Sequence, residues 1–324
     1  MPSLRRKASI VIPLYNESAV FRSLAEALRQ AIERELSYDW EVVFADDGSS
    51  DGTANKVVEH YGLLGVPVRL VRLSRNFGHQ AALIAGIAAA TGDAIICMDA
   101  DLQDPPQLIS DFLRKYEEGY NVVYAVRSKR AAPLPKRLAY QVFYRIFSRV
   151  AEIPIPLDSG DFGLIDRRVA SLIVAMPEKD IFLRGLRSWV GFSQIGIGYT
   201  RPERAIGSTK YTFAKLLKLA ASAFFGFSLL PLRIATSLGF CAVLISCAYA
   251  VFALVVAVFY HSAPRGWASV IGVVSFIGGA QLVSIGILGE YIGRIYRQAQ
   301  ARPLYIVAEQ RELTPDLGQV SRSD

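Results

Sequence analysis

Cysteine is scarce in this chain of 324 residues. Cys97, Cys241 and Cys247 show no metal or disulfide spacing, so neither a disulfide framework nor a thiolate metal site organises the fold, and the three read as small core or lipid-facing residues. Charge is missing from two long stretches, "IATSLGFCAVLISCAYAVFALVVAVFY" from Ile234 to Tyr260 and "WASVIGVVSFIGGAQLVSIGIL" from Trp267 to Leu288. Each exceeds the ~20 residues that cross a hydrocarbon core as a helix. Buried helices of a soluble core rarely run so long without a charge, so two membrane spans, about 234–260 and 267–288, are expected, joined by "HSAPRG".

Acid is scarce beside these spans. Arg184 to Arg233 carries eight Lys or Arg against Glu203 alone, the far side adds Arg294, Arg297 and Arg302, and the connecting loop offers only Arg265. By the positive-inside rule both termini are cytoplasmic. The net charge of +7 lies largely in this belt, which suits anionic lipid headgroups; no nucleic-acid motif accompanies it, so nucleic acid is not an expected partner. The basic N-terminus leads into a short apolar run broken by Pro13, which does not fit a cleavable signal.

Apolar residues make up 52% of the chain and mean hydropathy is +0.29, too apolar for an average soluble domain and too polar for a protein that is all membrane. The remainder, from residue 8 to about 130, alternates short apolar runs ("ASIVIPL", "EVVFA", "VRLVRL", "AIICM", "VVYAV") with helix-period segments. The first of these, Ser18 to Leu36, sets Val20, Leu24, Leu28, Ile32 and Leu36 four apart on one face. Strand and helix alternating in this way predict a Rossmann-like α/β fold, a mainly parallel sheet covered on both sides, whose ligands gather at the carboxyl ends of the strands. "PLYNES", "DDGSSDGT", "SRNFGHQ" and "DADLQD" all follow strands and therefore fall on that one edge. Later segments predict a strand in "LDSGDFGLID" with a helix starting at Asp166, a short helix in "RGLRSWVG" and a strand in "QIGIGYT".

Asp99 and Asp101 form an acidic-x-acidic pair. In an extended segment both would point the same way and could face one hard cation, Mg²⁺ or Mn²⁺, which takes one or two carboxylates and completes its shell from phosphate oxygens. Alone the triplet fits a solvated turn equally well; its place at a sheet edge, with Gln103 as a further oxygen, favours the metal. Asp46 is read as a contact to a nucleobase edge or sugar, Asp51 as a helix cap, His79 as structural, and Asp104 as the start of the next turn.

Taken together, "IVIPLYNES", "FADDGSSDGT" and "MDADLQDPP" resemble the nucleotide-diphosphate-sugar domain of family 2 inverting glycosyltransferases, the GT-A fold. "RNFGHQAAL", "DSGDFGLIDRRV", "FLRGLRSWVG" and "GSTKYTFAKLLKL", followed by two spans, resemble its polyprenyl-phosphate branch. The resemblance implies a GT-A catalytic domain over 1–210, followed by the two-helix hairpin over 233–292 and a cytoplasmic tail over 293–324. Between domain and hairpin, Thr212 to Leu230 is an apolar segment with Lys215 and Lys218 ahead of the first span, read as an interfacial amphipathic region over 211–232, the alternative being an ordinary packed helix of the soluble domain; the tail is expected without order beyond Arg311. The resemblance also implies that Pro13, Tyr15, Asn16, Glu17 and Asp46 surround the nucleotide and that Asp99, Asp101 and Gln103 hold the metal on the diphosphate. Arg127 and Arg184 would contact the acceptor phosphate, and Arg204, Ser208 and Lys210 would close over the pyrophosphate.

The expected activity is transfer of one sugar, glucose from UDP-glucose, to a polyprenyl phosphate at the cytoplasmic face of the inner membrane, with membrane lipids as further partners. Aminoarabinose or mannose donors, a processive polysaccharide synthase and a non-catalytic membrane scaffold are the alternatives. A phosphate acceptor needs no general base, so Asp158 and Asp161 are read as structural before catalytic, Asp161 being the candidate if a base is used. Ala235-x₃-Gly239 and Ser275-x₃-Gly279 would serve packing within the hairpin or in a homo-oligomer.

Overall fold

The computed structural model describes residues 5–127, 159–179, 181–199, 230–260 and 266–315. They belong to two compact units, one built from the chain on both sides of the hairpin and one containing the hairpin.

The first unit is a sheet of eight strands in the order β7-β5-β6-β4-β1-β2-β3-β8. β1 (Arg6–Leu14) lies between β2 (Tyr38–Asp46) and β4 (Ala94–Cys97), parallel to both, and β3 (Val68–Leu73) extends the parallel set beyond β2. β6 (Ser159–Asp166) runs antiparallel to β4 and to β5 (Val122–Arg127), while β7 (Gln194–Tyr199) is parallel to β5. The sheet is therefore mixed but mostly parallel, as the alternating pattern predicts.

Side-chain alternation along β1 explains its unbroken apolar run. Ile10, Ile12 and Leu14 enter one core with α1 (Phe21–Glu33), α2 (Thr53–His60) and α4 (Leu108–Glu117). Val11 enters the other, beneath α3 (His79–Ala89), α5 (Arg167–Ala175) and α6 (Leu183–Trp189). α3 is buried nearly all round, and its approach to β1 needs Gly86, where a Cβ would stand 2.4 Å from Val11 Cγ1.

Two expectations are corrected here. α1 ends at Glu33, so Leu36 lies outside the helix and is 73% exposed. The stretch assigned to the tail contains an eighth strand, β8 (Val307–Leu313), which pairs antiparallel with β3 from Val68↔Leu313 to Leu73↔Val307. Its sequence, VAEQREL, has too little apolar alternation to announce a strand.

The second unit contains α7 (Leu230–Tyr260) and α8 (Trp267–Ala299), which cover both charge-free stretches. α8 runs eleven residues past Leu288, and Arg294 pairs with Glu290 one turn earlier at 3.0 Å. Among the described residues Gly272–Ala299 is long and apolar enough to cross a membrane by length and composition. Phe240, Ile245, Phe252, Phe259, Phe276 and Leu282 are exposed, more apolar surface than water tolerates on a helix pair.

Candidate active site

The β1–β2 register sets Leu14 against Asp46, so the loops after both strands leave the sheet side by side. They are tied together through the backbone. Asn16, in the left-handed region at φ 56°, donates its N–H to Ser49 Oγ at 2.9 Å and accepts from Ser50 N through Oδ1 at 2.9 Å. Glu17 N donates to Thr53 Oγ1 (2.9 Å) and Ser18 N to Asp51 Oδ2 (3.1 Å), while Asp51 Oδ1 accepts from Thr53 N at the start of α2 (3.0 Å). Asp51 therefore braces the entry to α2 from one residue before its N-cap, which is Gly52, rather than standing at the cap position itself. Gly48, at φ +68°, passes so close to Arg75 that a Cβ would lie 2.6 Å from its carbonyl carbon.

Of the residues assigned to the nucleotide, Tyr15 is half exposed and Pro13 is buried within β1 opposite Ala45. Asp46 is fully buried. Its Oδ1 accepts from Ser49 N at 3.2 Å, and its Oδ2 lies 3.6 Å from Arg72 Nε and has no hydrogen-bond partner among the described residues. Asp47 clamps the next loop, accepting from Phe77 N at 2.7 Å and Gly78 N at 2.9 Å; burial raises its pKa against the pull of those two N–H groups.

The acidic cluster forms where β4 meets β6. Cys97, the last residue of β4, pairs with Gly163, and Asp99 and Asp161 lie just beyond that pair, both facing His79 Nε2. Asp161 Oδ1 accepts from Arg184 Nε on α6 (2.9 Å), and its Oδ2 accepts from Gln80 Nε2 (2.9 Å) and faces His79 Nε2 at 3.5 Å. Gln80 Oε1 accepts from Leu183 N (3.0 Å), so one amide joins the start of α3, Asp161 and the start of α6. Burial pushes the Asp161 carboxyl upward, but Arg184 and His79 outweigh it and hold the group well below the usual range. Beneath it Arg187 is 1% exposed and stacked over Tyr124 at 4.9 Å, with Nε and Nη2 lacking hydrogen-bond partners among the described residues. Its burial lowers the guanidinium to about 10 despite Asp161.

Asp99 faces His79 Nε2 at 3.6 Å. Burial, with Asp104, Asp161 and Asp101 nearby, lifts its carboxyl to about 6 against the pull of His79. This is a site with surplus negative charge and hard oxygen donors, Asp99, Asp101 and Gln103, and it fits a divalent cation. Among the described residues no group of three or more His, Cys, Asp or Glu side chains is arranged to hold a metal ion.

The local geometry differs from the expected extended segment. β4 stops at Cys97, and the chain turns through Ala100 and Asp101, with Asp101 Oδ1 accepting from Gln103 N at 3.2 Å and Leu102 at φ 55°. Sharing one turn, rather than strand alternation, is what brings the two carboxylates near each other. Asp104 stands just before the turn at Pro106–Gln107 that leads into α4, as its position suggested, and it is also 1% exposed and accepts from Tyr199 Oη at 2.7 Å.

His79, Gln80, Arg72 and Tyr199 thus join a site for which sequence reasoning had not proposed them, and His79 is central to it. Its pKa is raised, since Asp161 and Asp99 outweigh the lowering effect of burial. Arg127 ends β5 at the same edge, its side chain lying outside the described residues, as do Asp158, Arg204, Ser208, Lys210 and most of the expected interfacial segment.

This is an α/β protein whose polar clusters gather at the carboxyl edge of the sheet, the edge at which such sheets bind ligands, joined in one chain to an apolar helical hairpin. Residues 9–173 match the family described as glycosyl transferase family 2, and residues 230–295 match the one described as the GtrB C-terminal hairpin. The uncharacterized glycosyltransferase YkcC of Bacillus subtilis is 42% identical, over 92% of this chain and 92% of its own length. The prophage bactoprenol glucosyl transferase homolog of Escherichia coli is 37% identical over 93% and 98%, and the bactoprenol glucosyl transferase of Shigella phage SfX 35% identical over 94% and 100%. The chain belongs to glycosyl transferase family 2, in its polyprenyl-phosphate branch. It is a membrane-associated enzyme with a GT-A catalytic domain.

Proposed function

We propose that this enzyme transfers a single glucose from UDP-glucose to a polyprenyl phosphate, with inversion, at the cytoplasmic face of the inner membrane. The observation that carries the reading is the state of Asp161. Three donors engage this carboxylate, and it is held ionised far below neutral pH, which makes it a poor proton acceptor. A transferase acting on an alcohol needs such a base, whereas a phosphate monoester with a second pKa of ~6 brings its own anion.

In this reading Asp99, Asp101 and Gln103 hold Mg²⁺ or Mn²⁺, which when bound stabilises the negative charge of the leaving UDP. Tyr15, Asn16, Glu17 and Asp46 meet the nucleoside, with Pro13 shaping the strand beneath. Arg184, fixed by Asp161 and about one-third exposed, presents its guanidinium to the acceptor phosphate together with Arg127. Arg204, Ser208 and Lys210 close over the pyrophosphate. Residues 1–210 carry the chemistry, 211–232 lie in the interface and the hairpin within 233–292 anchors the chain; the basic flanks support cytoplasmic termini. The small-residue spacings leave room for a homo-oligomer.

The test is a donor and acceptor panel on purified full-length protein with Mg²⁺. UDP release should require undecaprenyl phosphate and be fastest with UDP-glucose, and the product should have the anomeric configuration opposite to the donor's. Equal turnover on undecaprenol, or release that ignores the lipid, would refute the proposal.

A further inference from the structure

We infer that the hydrogen bond between Tyr199 and Asp104 is a positioning latch that keeps the turn bearing Asp99, Asp101 and Gln103 in the shape that accepts a divalent cation. This rests on the metal reading above. The turn needs holding: Leu102 stands in the left-handed region at φ 55°, and the bond from Gln103 N to Asp101 Oδ1, at 3.2 Å, closes it from inside. An outer closure is Asp104 Oδ1, which accepts from Tyr199 Oη at 2.7 Å.

The anchor behind that hydroxyl is rigid. Tyr199 is the last residue of β7 and is 6% exposed; its ring packs edge-on against Phe162 with centroids 6.3 Å apart, and Phe162 packs on Phe112 of α4 at 4.8 Å. Phe162 follows Asp161 in β6, and α4 follows the turn itself, so the latch ties the metal turn to the strand and helix that frame the site. Asp104 is 1% exposed, and its Oδ2 has no hydrogen-bond partner among the described residues. A buried carboxylate so sparingly satisfied costs stability that an apolar residue would not, which argues for a duty at the turn rather than for packing.

Outer partners that orient metal ligands typically govern affinity ~10–100-fold. The experiment is Mn²⁺ binding to the full-length protein in detergent, with UDP and without acceptor, followed by electron paramagnetic resonance. Tyr199→Phe, which removes one hydroxyl, should weaken Mn²⁺ binding by roughly that factor while leaving the metal-free melting temperature within about 3 °C of wild type. The Tyr199→Phe/Asp104→Ala double variant should bind no more weakly than Asp104→Ala alone. Wild-type Mn²⁺ affinity in Tyr199→Phe overturns the latch, as do additive losses in the double variant or a loss of binding matched by a large fall in melting temperature. Asp101→Asn serves as the control: if it binds Mn²⁺ normally the metal reading fails, and if it does not while Tyr199→Phe does, only the latch fails.

Discussion

Glu41 shows how much one buried charge can carry in this sheet. Its carboxylate on β2 accepts from Ser9 Oγ at 2.6 Å and Thr91 Oγ1 at 2.8 Å and faces Lys7 Nζ at 3.0 Å. Burial alone would raise its pKa, but these contacts and Thr91 N outweigh it and lower the group from 4.5 to about 2. A depressed folded pKa stabilises above the unfolded value and is lost as pH falls through the folded one. The contribution is therefore complete above pH ~4.5 and disappears towards ~2, on the order of 3 kcal/mol at ~1.4 kcal/mol per unit. Glu41→Gln should lower the unfolding free energy at pH 7 by about 2–3 kcal/mol and flatten the acid limb of the stability curve; urea titrations at several pH values would show it. Asp99 responds in the opposite direction. Raised to about 6, it must lose a proton before it can take the metal role proposed for it, so Mn²⁺ affinity measured without acceptor should climb roughly tenfold per unit up to pH ~6 and then level off. A flat profile from pH 5 to 7 would contradict this. The sequence revealed Asp99 and Asp101 because carboxylates directly after an apolar strand are conspicuous. It concealed His79 and Gln80, whose partner Asp161 arrives some eighty residues later on a strand whose pairing with β4 no local pattern encodes.

Among the elements, those with strong periodicity were legible and those made by tertiary pairing were not. The parallel strands announced themselves because both faces are buried, and α1 because Leu24, Leu28 and Ile32 repeat along one side. β8 could not be read, since an edge strand carries charge to discourage further pairing and VAEQREL carries three charged residues. That strand has a testable duty. It covers the outer edge of β3, its Glu312 meets Arg69 Nη2 at 2.6 Å, and Ile306 O accepts from Ser74 N at 2.9 Å, just before the loop that Asp47 clamps. A chain truncated after Arg302 should lose this cover, melt several degrees lower and self-associate through β3, whereas truncation after Thr314 should behave as wild type. Light scattering and thermal unfolding of the two, side by side, distinguish the outcomes; equal behaviour would mean that β8 is dispensable.

For the molecule as a whole, the proposed function divides the work of the two units between a donor handled in water and an acceptor held in lipid. Every described residue proposed to meet the donor or the metal lies in the first unit, which also includes β8. The hairpin supplies two long apolar helices, and under the proposed function its contribution to rate is concentration: holding the enzyme at a bilayer turns a search through bulk solution into one along the surface that carries the lipid. Excision should separate these contributions, provided β8 is retained. A chain in which a flexible linker joins Thr212 directly to Pro303 keeps the whole first unit, so its affinity for UDP with Mn²⁺ should stay within about threefold of wild type, whereas transfer to undecaprenyl phosphate in vesicles should fall ~100-fold or more at equal protein and lipid. A short-chain prenyl phosphate that dissolves in water removes the need for surface concentration and should restore most of the rate. Arg184→Ala in the excised form then tests the proposed role of its guanidinium at the acceptor phosphate: it should abolish this rescue while leaving UDP affinity alone. If the excised protein transfers to vesicle-bound lipid as fast as the intact one, anchoring is not what the hairpin contributes; if the soluble acceptor fails to rescue it, the hairpin supplies part of the acceptor site itself.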